Sequence, residues 1–461
     1  MKKTVSGLVL AIILIGIPML KLDIQRVSAD ETIYIKADGS VDPLTTPIHR
    51  DGDVYTFTDN IYDEIVVQRS NIVIEGNRHT LQGSGGGYGF NLNRVNNVTI
   101  KNTNIKGFTD GIWLYSSNYN TIHGNNITTN TVDGIALYSS SNNNINGNNI
   151  RNSYHGIQVY SSSNNNINGN NISGTNLASI LVDGSSNHNN IIGNTFTDGG
   201  LLISFSYGNI VEGNVVNGKP VVFLEDVSDC TVSDGGQVIL VNCSNIRVEN
   251  LNLSNTVVGL ELWKTDNSKI ADNNITNSYY GIWLSDSSNN SIVRNNITYN
   301  NYGIQLWWSS NNRLYHNNFI DNSNQVFDLA WDDPEIPRST NFWDDGYPSG
   351  GNYWSDYNGI DYYSGIMQNI TGSDGIGDIQ YVVDDNNTDR YPLMKPWIPG
   401  FLETDLNNDG KVDMKDVALV AYAFGSNPDH PRWNPVADIN GDNKVDMKDI
   451  GTVAKDFGKT I

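Results

Sequence analysis

Apolar residues recur along this chain at a spacing that no helix explains. From Gly134 the sequence reads GIALYSSSNNNINGNNI, and from Gly156 GIQVYSSSNNNINGNNI. Looser copies begin at Gly111, Gly259, Gly281 and Gly303. The steps 134 to 156, 259 to 281 and 281 to 303 are each 22 residues, and 111 to 134 is 23. With Gly as zero, apolar residues fall at +1, +3, +11 and +16: Ile135, Leu137, Ile145 and Ile150, then Ile282, Leu284, Ile292 and Ile297. The +1/+3 alternation predicts a strand, and the Ser, Asn and Gly runs between apolar positions predict turns. A period this short predicts a solenoid. A leucine-rich repeat has a similar period, but it needs an L-x-x-L-x-L phrase and a compact return. Several short strands per coil fit a right-handed parallel β-helix better.

Asn recurs at +8 (Asn142, Asn164, Asn267, Asn289, Asn311) and at +14 (Asn148, Asn170, Asn273, Asn295, Asn317). Amides stacked at equivalent turns hydrogen-bond from coil to coil, so both columns are expected to be structural. Coils before Gly111 are less regular. The phrases between Gly199 and Gly236 are shorter, which predicts a change of coil size or a protruding turn.

Positions +2 and +4 should face outward. They include Trp113, Tyr115, Tyr138, Tyr160, Trp263, Trp283 and Trp307. Such a row either presents flat faces to sugar rings or only stacks to stabilise the sheet. The residue before each Gly makes a second column: Asp110, Asp133 and His155, then Val258, Tyr280 and Tyr302. Successive coils place these about 5 Å apart. Two carboxylates and a histidine beside aromatic platforms can do acid–base work on a glycan, bind a cation, or be solvated turn residues.

The repeat phrase resembles the NosD-like right-handed β-helix family, whose relatives include carbohydrate-acting β-helix enzymes. The resemblance covers roughly residues 32–397 and is specific for fold rather than activity. Some relatives have a copper-related role. The seven histidines here (His49, His79, His123, His155, His188, His316 and His430) form no close cluster, which makes that role a remote expectation.

After residue 324 the repeat gives way to an aromatic and acidic block with NFWDDGYPSGGNYWSDYNGID. It resembles the block that closes such β-helices, and a solenoid's last coil needs a cover. Asp356, Asp361, Asp374 and Asp378 sit there among glycines and are expected either to hold a further calcium ion or to serve turns.

DLNNDGKVDMKD at Asp405 and DINGDNKVDMKD at Asp438 are twelve-residue calcium loops. Their ligand positions are Asp405, Asn407, Asp409, Lys411 (backbone carbonyl), Asp413 and Asp416, then Asp438, Asn440, Asp442, Lys444 (backbone carbonyl), Asp446 and Asp449. An apolar helix follows each loop. An EF-hand sensor pair is the rival reading. Two loops ending in Asp, each with one helix, resemble a type I dockerin. The resemblance implies two calcium ions, calcium-dependent folding and a cohesin-bearing partner.

Composition narrows the setting. The 461 residues carry 28 basic and 50 acidic side chains, a net charge of −22, which argues against nucleic acid and anionic membranes as partners. Met1-Lys2-Lys3, an apolar run from Val5 to Leu20 and Val27-Ser28-Ala29 have the layout of a signal peptide. The run is short for a spanning helix, which needs about 20 residues. Sequons at Asn97, Asn126, Asn171, Asn252, Asn274, Asn296 and Asn369 fit export. A disulfide between Cys230 and Cys243 is left open. The expected order is signal peptide 1–29, β-helix 30–324, cap 325–399 and dockerin 400–461. The expected function is that of a secreted or cell-surface, cohesin-docking protein that binds polysaccharide and degrades it as a lyase or glycoside hydrolase. The alternative is a non-catalytic adhesion protein whose solenoid presents a binding face.

Overall fold

The computed structural model describes residues 32–332, 335–398, 404–407, 411–428, 430–440 and 442–459. The signal-peptide expectation and the ligand Asp409 lie outside them. Between residues 33 and 354 the chain is an all-β right-handed solenoid of about 12 turns. One coil contains the strands Asp133–Tyr138, Asn144–Asn146 and Asn149–Arg151. The next stacks on it in parallel register: Ile135 beside Ile157, Ile145 beside Ile167, Ile150 beside Ile172. These isoleucines are fully buried, and each stabilises by roughly 2–3 kcal/mol through area removed from water.

The repeat glycine marks a corner. A Cβ on Gly111 would lie 2.7 Å from Cγ2 of Ile127, inside the tube, and 2.6 Å from the carbonyl of Gly134. Gly111 therefore points inward, and the residue before it points out.

The two asparagine columns behave differently. The +14 amides stack as expected: Asn148 Nδ2 donates to Asn170 Oδ1 at 3.0 Å and to the Ile122 carbonyl at 2.9 Å. The +8 residues do not stack. Asn142 and Asn267 take left-handed turn conformations, with φ of 58° and 54°. The second stack belongs to their neighbours at +9, with Asn143 Nδ2 donating to Asn165 Oδ1 at 3.1 Å. A short polar side chain tolerates the turn's positive φ, so +8 is spent on backbone and +9 carries the amide.

The solenoid is two stacks rather than one, which corrects the expectation of a local irregularity near Gly199–Gly236. Strand Val215–Val216 turns back through Asn217 and Gly218, both at positive φ, and pairs antiparallel with Lys219–Glu225. This hairpin runs the third sheet of the first stack into the glycine-bearing sheet of the second, making one sheet of 13 strands. In strand Gln237–Val241, Val238 and Leu240 face the core of the second stack, while Ile239 and Val241 join the core of the first. The outer face of the second stack thereby closes the open end of the first.

The far end is closed by the aromatic block. Trp343 and Trp354 are buried, and Trp354 stacks on Phe319 at 4.3 Å. The ladders continue into it, from Asn312 to Asn341 and from Asn317 to Asn352. Cys230 and Cys243 are free thiols; the pairing of Thr231 with Arg247 sets Cys230 level with Ile246 instead. Two helices follow, α1 (Met414–Ala423) and α2 (Met447–Asp456).

Candidate functional site

Strands Tyr88–Asn93, Asp110–Tyr115, Asp133–Tyr138 and His155–Tyr160 lie side by side in the first stack. Their outward residues before glycine converge. The Asp133 amide donates to Asp110 Oδ1 at 3.0 Å, and Asp133 Oδ1 meets His155 Nδ1 at 2.8 Å. Asp133 Oδ2 has no hydrogen-bond partner. Asp133 is fully buried, and Asp110 and His155 are each 7% exposed. Burial, and then the Asp133 charge, push the Asp110 carboxyl up to about 7. Burial also raises Asp133, while His155 opposes the rise. Asp110 is thus raised toward neutrality beside an aspartate–histidine pair.

Aromatic rings border it. Tyr88 stacks on Trp113 at 4.7 Å, and Trp113 lies parallel to Tyr115 at 5.5 Å. Tyr138 contacts Tyr160 and donates to Gln158 Oε1 at 2.7 Å. Tyr154 meets the His155 ring edge-on at 4.7 Å. Tyr88 and Tyr154 escaped the sequence reading, because Tyr88 belongs to an irregular early coil and Tyr154 lies one residue outside the tracked column.

The expected row of seven aromatics does not hold as one surface. Trp263, Trp283 and Trp307 lie on the second stack, on the face turned against the first. Trp263 is 4% exposed and packs on Tyr207 at 4.2 Å, while Phe205 meets Trp307 at 4.9 Å. Glu261, expected to point to solvent, is 3% exposed in the same joint. The hairpin at Gly218 is the cause, because it turns this sheet from an outer wall into a lid.

The cap carboxylates serve turns. Asp361 accepts from the Ser373 hydroxyl and the Gly375 amide, Asp378 from the Tyr362 amide, and Asp356 from the Tyr381 hydroxyl. Turn donors thus hold oxygens of Asp361, Asp378 and Asp356. Among the histidines, His316 stacks flat on Trp397 at 3.6 Å, and the Ser349 hydroxyl lies between its ring and Asp345.

The C-terminal loops do suit calcium. Asp438 lies among Asp442 and Asp449, and burial followed by those charges raises its carboxyl. Asn443 adopts the positive φ of 62° that the loop's sixth position needs. Asp446 caps α2 and Asp449 returns the capping box; Asp413 and Asp416 do the same for α1.

The fold and these loops define a class: a parallel β-helix joined to a small calcium-loop module. The family models name its parts. Residues 52–196 match the right handed beta helix region, 197–359 the periplasmic copper-binding protein (NosD), and 403–457 the dockerin type I domain. The chain is a NosD-like β-helix carrying a type I dockerin. No curated protein matches it. Similar solved structures include an alginate lyase from Paenibacillus sp. str. FPU-7, at 18% identity and TM-score 0.30, covering 52% of this chain and 85% of that one. Mannuronan C-5 epimerase AlgE6 A-module of Azotobacter vinelandii has 14% identity and TM-score 0.29, covering 62% and 87%. PfbA, a surface adhesin of Streptococcus pneumoniae, has 16% and 0.29, covering 58% and 73%.

Proposed function

We propose that this chain is an exported, cohesin-docking protein that binds polysaccharide and hydrolyses it at the Asp110–Asp133–His155 column. The observation that carries the reading is the continuous polar chain from Asp110 through Asp133 to His155, set beside the rings of Tyr88, Trp113 and Tyr138. Asp110 gives its proton to the glycosidic oxygen as the C–O bond breaks. His155, oriented by Asp133, takes a proton from the water whose oxygen bonds to the anomeric carbon. Asp110 and His155 stand two strands apart, roughly 9–10 Å along the stack, which leaves room for that water.

In this reading residues 1–29 are a signal peptide, 30–324 the β-helix, 325–399 its cap and 400–461 the dockerin. The dockerin takes two calcium ions, one per loop, through Asp405, Asn407, Asp409, Lys411, Asp413 and Asp416 and through Asp438, Asn440, Asp442, Lys444, Asp446 and Asp449. Calcium fixes the loops so that α1 and α2 can pack on Val412 and Val445, and the folded module docks a cohesin-bearing partner outside the cell. Among the described residues no helix is long and apolar enough to cross a membrane.

The test incubates full-length protein with a polysaccharide panel and assays new reducing ends and unsaturated ends. Reducing ends without unsaturation support hydrolysis. Unsaturated ends would replace it with lyase chemistry. Binding without either product would favour the adhesion reading, for which the exposed rings of Tyr115 and Tyr160 are the favouring observation. Chelation by EGTA should abolish cohesin capture; capture that survives it would remove the calcium-dependent dockerin.

A further inference from the structure

The joint between the stacks leaves a cleft of about 360 Å³. One wall is Thr175, Asn176, Asp198 and Gly199 of the first stack, and the other includes Asn277, Tyr279, Tyr299 and Asn301 of the second. The floor is stitched by hydrogen bonds across the joint: Gly199 N donates to the Asn255 carbonyl at 3.2 Å, and Asn217 Nδ2 to the Ser254 carbonyl at 3.0 Å. Gly199 is at φ 133°, and a Cβ there would lie 2.5 Å from the hydroxyls of Ser179 and Thr175 on the preceding coil, so only glycine fits at this corner of the first stack.

The first-stack wall of the cleft is the coil stacked on the one that carries His155. Its Asn176 and Leu177 amides donate to the carbonyls of Ser153 and Tyr154, each at 3.0 Å, and the Tyr154 ring abuts His155. Tyr279 and Tyr299 stand on the second-stack wall of the cleft. Tyr299 is 59% exposed although its backbone sits at φ 56°, a conformation uncommon for a bulky side chain.

We propose that this cleft binds an uncharged oligosaccharide segment and feeds it to the Asp110–Asp133–His155 column. The proposal rests on the glycan-acting reading above and narrows its substrate. Amides and hydroxyls of asparagine and threonine match sugar hydroxyls, and the tyrosine faces match the apolar sides of sugar rings. Apart from the tyrosines, Asp198 is the one ionisable residue lining the cleft among the described residues, and it is acidic. The charges that act on Asp110 are Asp133 and His155. A uronic-acid polymer carries a negative charge on every ring and would meet carboxylates with no lysine or arginine to offset them. β-Elimination also requires the sugar's own carboxylate to be neutralised, which these side chains do not do. An uncharged chain meets neither obstacle, and its cleavage is hydrolysis.

Affinity electrophoresis of full-length Asp133→Asn protein, with Tyr299→Ala and Tyr299→Phe added to it, measures binding apart from turnover. Gels contain uncharged glucans, xylans or mannans on one side, and alginate or polygalacturonate on the other. The expected result is retention by at least one uncharged polymer and by neither anionic one. Tyr299→Ala should weaken retention about tenfold, and Tyr299→Phe should restore it. Stronger retention by anionic polymers, retention by no uncharged polymer, or full retention in Tyr299→Ala overturns the proposal. If binding behaves as stated but the wild-type protein yields no product, the cleft stands and the hydrolytic reading falls.

Discussion

The two stacks are alike as scaffold and unlike as surface. Both repeat the Gly-Ile-x-Leu strand, the three-strand coil and the asparagine ladder, with Asn148 and Asn295 each donating to the next asparagine at 3.0 Å. Their outward residues diverge. The column before glycine reads Asp110, Asp133, His155 in the first stack and Val258, Tyr280, Tyr302 in the second. The +2/+4 face of the second stack holds Trp263, Trp283, Trp307 and Glu261, because it is pressed against the first. The covered face is largely aromatic, with Glu261 buried among the rings, whereas the first stack gathers its charged groups into the Asp110–Asp133–His155 column. The repeat builds the tube, and the deviations from it show what each side of the tube is for.

The largest expected effect breaks that contrast at its centre. Asp133→Asn removes the partner that orients His155, and turnover should fall by about 10²–10⁴-fold while polysaccharide retention holds. The pH profile adds a signature that a folding defect would not produce. With Asp110 raised to about 7, wild-type turnover should decline as pH rises through that value and the acid loses its proton. Asp133→Asn deletes the neighbouring charge but not the burial, so the residual activity should lose its alkaline limb at lower pH. Steady-state rates across pH 5–9 check both; an unmoved limb would mean that Asp110 is not the acid.

Much of this was legible in the chain, and the reasons for the misses are physical. The 22-residue period specified the coil, its buried isoleucines and the outward column, because a stacked sheet permits only one register. The convergence of Asp110, Asp133 and His155 followed from that register. The joint did not follow, although its signal was present. VVNGKPVV places Asn-Gly between two apolar runs, the pattern of a two-residue hairpin turn, and read as such it reverses the strand at Gly218. Without it, the Trp column of the second stack looked exposed and Glu261 looked solvated. The cleft was illegible for a further reason: its walls come from residues about 80–120 positions apart, brought together by the packing of the two stacks.

The scaffold half of the comparison predicts equal losses at equivalent ladder positions. Asn148 accepts from the Asn125 amide and Nδ2 and donates to Ile122 and Asn170; Asn295 accepts from Asn273 and donates to Ile270 and Asn317 in the same way. Alanine at either position leaves several buried groups unpaired, and each substitution should cost about 2–4 kcal/mol by chemical denaturation. A large inequality would show that the stacks are not equivalent as scaffolds.

Glu261 tests the joint at a smaller scale. Its carboxyl is raised to about 8 by burial, partly offset by a hydrogen bond from the Ile203 amide, and its Oε2 has no partner. A carboxyl raised in the fold contributes stability that is complete below its unfolded value of about 4.5 and is lost as pH rises through 8. Wild-type stability should therefore fall between pH 6 and pH 9 by more than that of Glu261→Gln, by up to about 3 kcal/mol, read as a larger drop in melting temperature. Parallel curves would mean that the joint relaxes around the charge.

The smallest effect separates two asparagines that are adjacent in sequence. Asn142 sits at φ 58° and Asn143 beside it carries the ladder amide. Asn142→Gly removes no ladder bond and supplies a residue for which positive φ is free, so stability should change by less than about 0.5 kcal/mol in either direction. Asn142→Ala at the same φ should cost about 1 kcal/mol, since its Cβ meets the left-handed backbone. Asn267, at φ 54° in the second stack, should respond identically. If Asn142→Gly instead costs as much as Asn148→Ala, the +8 amide is a ladder member after all, and the division between turn asparagines and stacking asparagines fails in both stacks at once.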